Sequence, residues 1–141
     1  MKLGEHPLRT WEGHDGEVLD ISLSSQGLVL SSGTDWLVKL WHPDSALCLR
    51  TFEHSHIATS VVFHPQNQQL FFTGCLDGKV RLFDLRPRSA EEEGRAISEI
   101  NTKGFVTAMA VSNDGKTVAA GLFEGKCMLF QVGIGMLAPS S

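Results

Sequence analysis

This 141-residue sequence has little of what usually marks catalytic or metal chemistry. Cysteine occurs three times, at Cys48, Cys75 and Cys127, with no Cys-x-x-Cys pair. An odd and widely spaced set argues against a disulfide scaffold or zinc ribbon and for a reducing compartment. Cys75 falls at a strand-to-turn junction and Cys127 within a strand, so both read as small buried hydrophobes. Basic charge is short as well: 12 Lys and Arg stand against 16 Asp and Glu, a net charge of −4 with pI about 5.8. No positive field therefore invites nucleic acid or an anionic membrane surface. No apolar run approaches the ~18–20 residues that span a bilayer, so no membrane insertion is expected. The opening Met-Lys-Leu-Gly-Glu-His-Pro lacks the apolar core of a signal peptide.

Catalytic patterns are missing too. There is no Gly-x-Ser-x-Gly, His-Glu-x-x-His or P-loop. Gly133-Ile-Gly-Met-Leu-Ala138 echoes a dinucleotide loop, but the three residues after it cannot build the helix that receives a phosphate. His54-x-His56 places no third ligand and reads as a turn. No catalytic residue, metal ligand or cofactor is expected.

What the sequence does have is repetition. Ser31-Ser-Gly-Thr-Asp35-Trp-Leu-Val-Lys-Leu-Trp41 reads as strand, tight turn, strand, with Val38 and Leu40 on one side and Lys39 and Trp41 on the other. The pattern returns as Thr73-Gly-Cys-Leu-Asp77-Gly-Lys-Val-Arg-Leu-Phe83. It returns again as Ala120-Gly-Leu-Phe-Glu124-Gly-Lys-Cys-Met-Leu-Phe130. A period in the forties, each copy closed by an aromatic, signals a repeat architecture. Leu8-Arg-Thr-Trp-Glu12 reads as a short strand that Leu49-Arg-Thr-Phe-Glu53 repeats, each followed by a histidine-containing turn. Alternating strands follow at residues 18–23, 59–63 and 107–111, and third strands begin at Leu28, Leu70 and Thr117. With four short strands per unit and almost no helical periodicity, the expected fold is all-β, in antiparallel sheets stacked on one another.

The phrase Gly13-His14, followed by Ser31, Asp35 and Trp41, resembles a WD repeat, the unit of a β-propeller blade. The resemblance implies a hydrogen-bonded structural tetrad of His14, Ser31, Asp35 and Trp41, with Trp41 buried. The second repeat keeps Thr73 and Asp77, with either His54 or His56 for the histidine, and has Phe83 for the tryptophan. The third has Ala120, Glu124 and Phe130 and no histidine, so the later blades should be less firmly pinned. The implied architecture is a partial β-propeller of about three four-stranded antiparallel blades over residues 1–132, divided 8–53, 54–100 and 101–132. The strand at 8–12 would belong to an adjacent or closing blade, and residues 133–141 would form a C-terminal tail. Propellers close with four to eight blades. Three blades therefore call for further blades from a longer chain or for a second copy.

Leu19-Asp-Ile-Ser22, Val38-Lys-Leu-Trp-His42, Phe63-His-Pro65 and Leu76-Asp-Gly-Lys79 are similar to repeats of the rabphilin-like Rab-GTPase effector WD proteins. That likeness implies a non-catalytic protein-interaction scaffold in vesicle trafficking. It would be cytoplasmic and peripheral to endosomal membranes, with a small GTPase among its protein partners. The alternatives are a substrate receptor of a ubiquitin-ligase or chromatin complex and, from another class, a subunit of a propeller enzyme. Trp36 follows Asp35 where a small or polar residue would suffice, so it is either exposed or packed under a neighbouring loop. The turns carrying Trp36, Leu76 and Phe123 are the expected protein-binding rim. The charged insertion at residues 86–94 reads as a solvated loop.

Overall fold

The computed structural model describes residues 1–133 and 137–139. Among these residues twelve strands form three antiparallel four-stranded sheets, and there is no helix. The first sheet orders β1 (Val18–Leu23), β2 (Val29–Gly33), β3 (Leu37–Trp41) and β4 (Arg50–Glu53) side by side. The second does the same with β5 (Ala58–Phe63), β6 (Leu70–Cys75), β7 (Lys79–Asp84) and β8 (Ser98–Asn101). The third holds β9 (Val106–Val111), β10 (Thr117–Leu122), β11 (Cys127–Val132) and β12 (Leu137–Pro139). The sheets do not close on themselves, so the architecture is a partial propeller.

Alternation in the inner strands puts an apolar face of one sheet against its neighbour. Leu30, Val38, Leu40 and Phe52 of the first sheet meet Ala58, Val61, Phe63, Phe71 and Phe83 of the second. Phe72, Val80 and Leu82, on the second sheet's other face, meet Val106, Val118, Ala120 and Phe130 of the third. The middle sheet thus packs apolar side chains on both faces, and its β6, Leu-Phe-Phe-Thr-Gly-Cys, is apolar over most of its length. The seam between the first and second sheets also carries polar contacts. Asp20 accepts hydrogen bonds from the Val61 N–H at 3.0 Å and the Ser60 hydroxyl at 3.1 Å, and Ser22 accepts from the Phe63 N–H at 2.9 Å.

Three sequence expectations are corrected. Residues 8–12 form no strand. With no neighbouring strand to pair, this segment folds back on the first sheet, where the Trp11 indole N–H donates to the Ser45 carbonyl at 2.8 Å and Arg9 donates to the Pro43 carbonyl. Within the segment expected to be a tail, Leu137–Pro139 pairs with β11 and supplies the fourth strand of the third sheet, while residues 134–136 and 140–141 lie outside the described residues. Cys127 is exposed, because it lies on the third sheet's outer face, whereas Cys75 is buried.

Candidate functional site

The hairpin from β2 to β3 draws the first histidine turn onto it. His14 Nδ1 lies 2.9 Å from Asp35 Oδ2, its Nε2 lies 2.6 Å from Ser31 Oγ, and Trp41 Nε1 donates to the same Oγ at 2.8 Å. A carboxylate only accepts and an indole N–H only donates. The relay therefore runs from Trp41 N–H to Ser31, from the Ser31 hydroxyl to Nε2, and from Nδ1–H to Asp35. Asp35 also accepts from the backbone N–H groups of Asp15 and Leu37. Burial alone would raise its carboxyl, but the hydrogen bonds from His14, Asp15 and Leu37 outweigh that and hold it below the ordinary value. Gly33 is required here, since a Cβ would lie 2.8 Å from both Asp35 Oδ1 and His14 Nδ1. Trp41 is 3% exposed and stacks on Trp11 at 5.7 Å between ring centroids.

The second sheet arranges its corresponding residues differently. His54, not His56, takes the histidine place, with Nε2 2.9 Å from Thr73 Oγ1. Asp77 does not reach it. Its carboxylate pairs with Arg81, which also meets Glu99 at 3.3 Å. Arg81 is buried, so its charge needs a carboxylate held close, and the half-buried Asp77 supplies it. Burial, helped by the Arg81 charge, pushes the His54 imidazole down to about 4. In the third sheet Thr102 stands four residues before β9, as His14 stands four before β1 and His54 four before β5. Its hydroxyl donates to the Gly78 carbonyl at 2.8 Å, tying the third sheet's entry to the second sheet's turn. Lining up the three repeats against their first strands would have found Thr102. Nothing in the sequence pattern announced the Arg81 ion pairs.

Trp36, Leu76 and Phe123 occupy the corresponding β2–β3, β6–β7 and β10–β11 turns, each beside the loop that leads into a later strand. Trp36 is 46% exposed, and its ring stacks on His56 at 5.2 Å. Leu76 is half-buried, and its N–H donates to the Ile57 carbonyl. Phe123 is 79% exposed, its N–H donates to the Phe105 carbonyl, and the two rings lie 6.4 Å apart. Leu76 and Phe105 share a shallow cleft of about 320 Å³ with Asp77, Asn101, Lys103 and Gly104. The three predicted residues do not touch one another. His56, Ile57 and Phe105, which the sequence reading missed, connect them.

Trp36 has a further peculiarity. Its φ is +70°, and the residues five before the closing aromatic in the other repeats are Gly78 and Gly125, at +89° and +91°. A tryptophan thus holds a backbone conformation that the other two repeats give to glycine.

Among the described residues no group of three or more His, Cys, Asp or Glu side chains could hold a metal ion. No helix among them is long and apolar enough to cross a membrane.

Comparison with known proteins places this geometry. The model of the WD domain, G-beta repeat family matches residues 5–42 and 46–84. The chain is 33% identical over 126 residues to WD repeat-containing protein 44 of Xenopus laevis, covering 88% of this chain and 13% of that protein. It is 30% identical over 138 residues to the Target of rapamycin complex subunit wat1 of Schizosaccharomyces pombe, covering 94% of this chain and 42% of that one. It therefore spans well under half the length of each. Among solved structures, the C-terminal WD40 domain of Sif2 superposes with a TM-score of 0.74 at 20% identity, over 91% of this chain and 35% of that one, a likeness of fold. The two matched segments take in more than half of the 141 residues and carry the His14 and Asp35 turns, and the chain belongs to the WD-repeat family.

Proposed function

We propose that this chain is a non-catalytic protein-interaction scaffold that receives its partners on the face carrying Trp36, Leu76 and Phe123. The observation behind this reading is Trp36. It holds a positive φ that costs a non-glycine residue about 1–2 kcal/mol, in a place where its own repeats use glycine, and it leaves nearly half of its surface in water. Strain kept at an exposed aromatic points to recognition rather than folding. His14, Ser31, Asp35 and Trp41 serve as an internal brace on this reading. His14 and Asp35 keep only 5% and 6% of their side chains exposed, too little to meet a ligand.

That a relative is named as a complex subunit supports assembly duty. The wording of the repeats supports a small GTPase as the partner to try first, in vesicle trafficking, with the chain cytoplasmic and peripheral to endosomal membranes. Capture of nucleotide-loaded small GTPases by the immobilised chain, with and without Trp36→Ser and Leu76→Ser, tests the reading. Both substitutions should weaken capture while leaving the chain folded, with the wild-type circular dichroism spectrum and a cooperative melt. Unchanged capture would refute the turn face and move the search to the loop at residues 86–94.

A further inference from the structure

The seam between the second and third sheets shows how one sheet receives the next, and the outer sheets each present an unused half of it. On the third sheet, Val106, Met109 and Val111 pack against the preceding sheet. The corresponding side chains of the first sheet are Val18, Ile21 and Leu23, which are 53%, 65% and 70% exposed. In the forward direction, Phe72, Gly74, Val80 and Leu82 of the second sheet meet the third. The third sheet's counterparts are Ala119, Gly121, Cys127 and Leu129, with Cys127 exposed and Leu129 56% exposed.

The fit is specific at two points. A Cβ on Gly74 would lie 2.6 Å from Val106 Cγ1, so glycine there makes the notch into which the next sheet's first valine fits. Gly121 repeats the notch, and a Cβ there would meet nothing closer than Ala108 of its own sheet at 3.6 Å. Thr59 sits at a break in the β5–β6 register, where a bulge re-aims its side chain. Its hydroxyl reaches the Gly74 carbonyl of its own sheet at 3.2 Å and the Val106 carbonyl of the next at 2.6 Å. Thr107 sits at the same break in the third sheet and reaches the Gly121 carbonyl at 3.3 Å. Val18, with a register shift beside it in β1, is the matching valine on the other outer face.

We infer that the outer face of the third sheet receives the first sheet of a second copy, head to tail. Val18 of the second copy seats in the Gly121 notch, and Thr107 reaches its carbonyl. The same contact made reciprocally by both copies closes a six-sheet ring, within the four to eight that propellers use. This contact is continuous with the seams already described and is independent of the turn face, so partner capture and assembly can fail separately.

Light scattering coupled to size exclusion on the 141-residue chain tests it. The expected mass is twice the 15.4 kDa of one chain. Ile21→Glu and Leu129→Glu lie on opposite outer faces, both exposed in a single chain, so each should give a folded monomer. Maleimide labelling of Cys127 should be roughly tenfold or more slower in the assembled wild type than in Ile21→Glu. A folded wild-type monomer would overturn the inference. So would a dimer broken by only one of the two substitutions, since that means like faces pair. A ladder of larger assemblies would overturn it as well, since a head-to-tail contact that does not close makes filaments.

Discussion

Replacing Trp36 separates backbone strain from side-chain contact. At φ +70° the residue stands in the left-handed region, and every non-glycine substitution there keeps a cost of about 1–2 kcal/mol. Trp36→Ala and Trp36→Gly both lose the stacking on His56 and the half-buried indole surface, so those losses cancel when the two variants are compared. What remains is the strain that only glycine relieves, set against the ~0.5–1 kcal/mol that glycine gives up through its freer unfolded chain. Glycine should therefore be the more stable variant by about 0.5–1 kcal/mol, the reverse of the order at an ordinary turn position with negative φ. Urea melts followed by the fluorescence of Trp11 and Trp41 measure it, provided the two variants share one m-value. An alanine variant as stable as the glycine variant, or more so, would refute the strain argument and with it the case for Trp36 as a retained recognition residue.

Trp41→Ala should cost ~3–5 kcal/mol in denaturant melts, because a large ring that is 3% exposed leaves a cavity; a loss below ~1 kcal/mol would remove it from the core. Trp41→Phe, the residue at that place in the other two sheets, gives up chiefly the hydrogen bond to Ser31 and should cost about 1 kcal/mol. His14→Ala and Asp35→Ala should couple by about 1 kcal/mol in a double-mutant cycle, since the two share one hydrogen-bonded relay; additive losses would mean the contact is energetically empty. His54 refuses a proton down to about pH 4, whereas in the unfolded chain it takes one near 6.5. The unfolded state therefore binds more protons between these values, and stability falls as the pH drops through that window, by up to roughly 3 kcal/mol. Urea midpoints at pH 7 and pH 4.5 in wild type and His54→Asn check it, and equal pH slopes would be evidence against the burial argument.

The repeat was legible because its parts are local. Turn residues, strand alternation and the spacing of His14, Ser31, Asp35 and Trp41 lie within one hairpin and the turn before it, so a period in the forties could be read residue by residue. The sheets and their order within each repeat follow from the same signals, which is why the all-β reading and the three stacked units agree with the structure. Strands that are apolar on both sides more often than a sheet facing water needs also pointed to sheets stacked on one another, and Leu70–Cys75 is buried in that way.

Tertiary structure decided what depends on a neighbour. Residues 8–12 have the wording of a fourth strand, but a strand exists only where a partner offers its backbone groups, and here Trp11 finds the Ser45 carbonyl instead. Leu137–Pro139 has no strand wording, yet the open edge of β11 recruits it. Asp77 matches Asp35 by position, and Arg81, buried against it, takes its carboxylate from His54. Trp36 is the sharpest case. Its exposure and its φ depend on a turn geometry that sequence alone left open between two readings, and only the fold sets that tryptophan beside His56 in a conformation its sister repeats reserve for glycine.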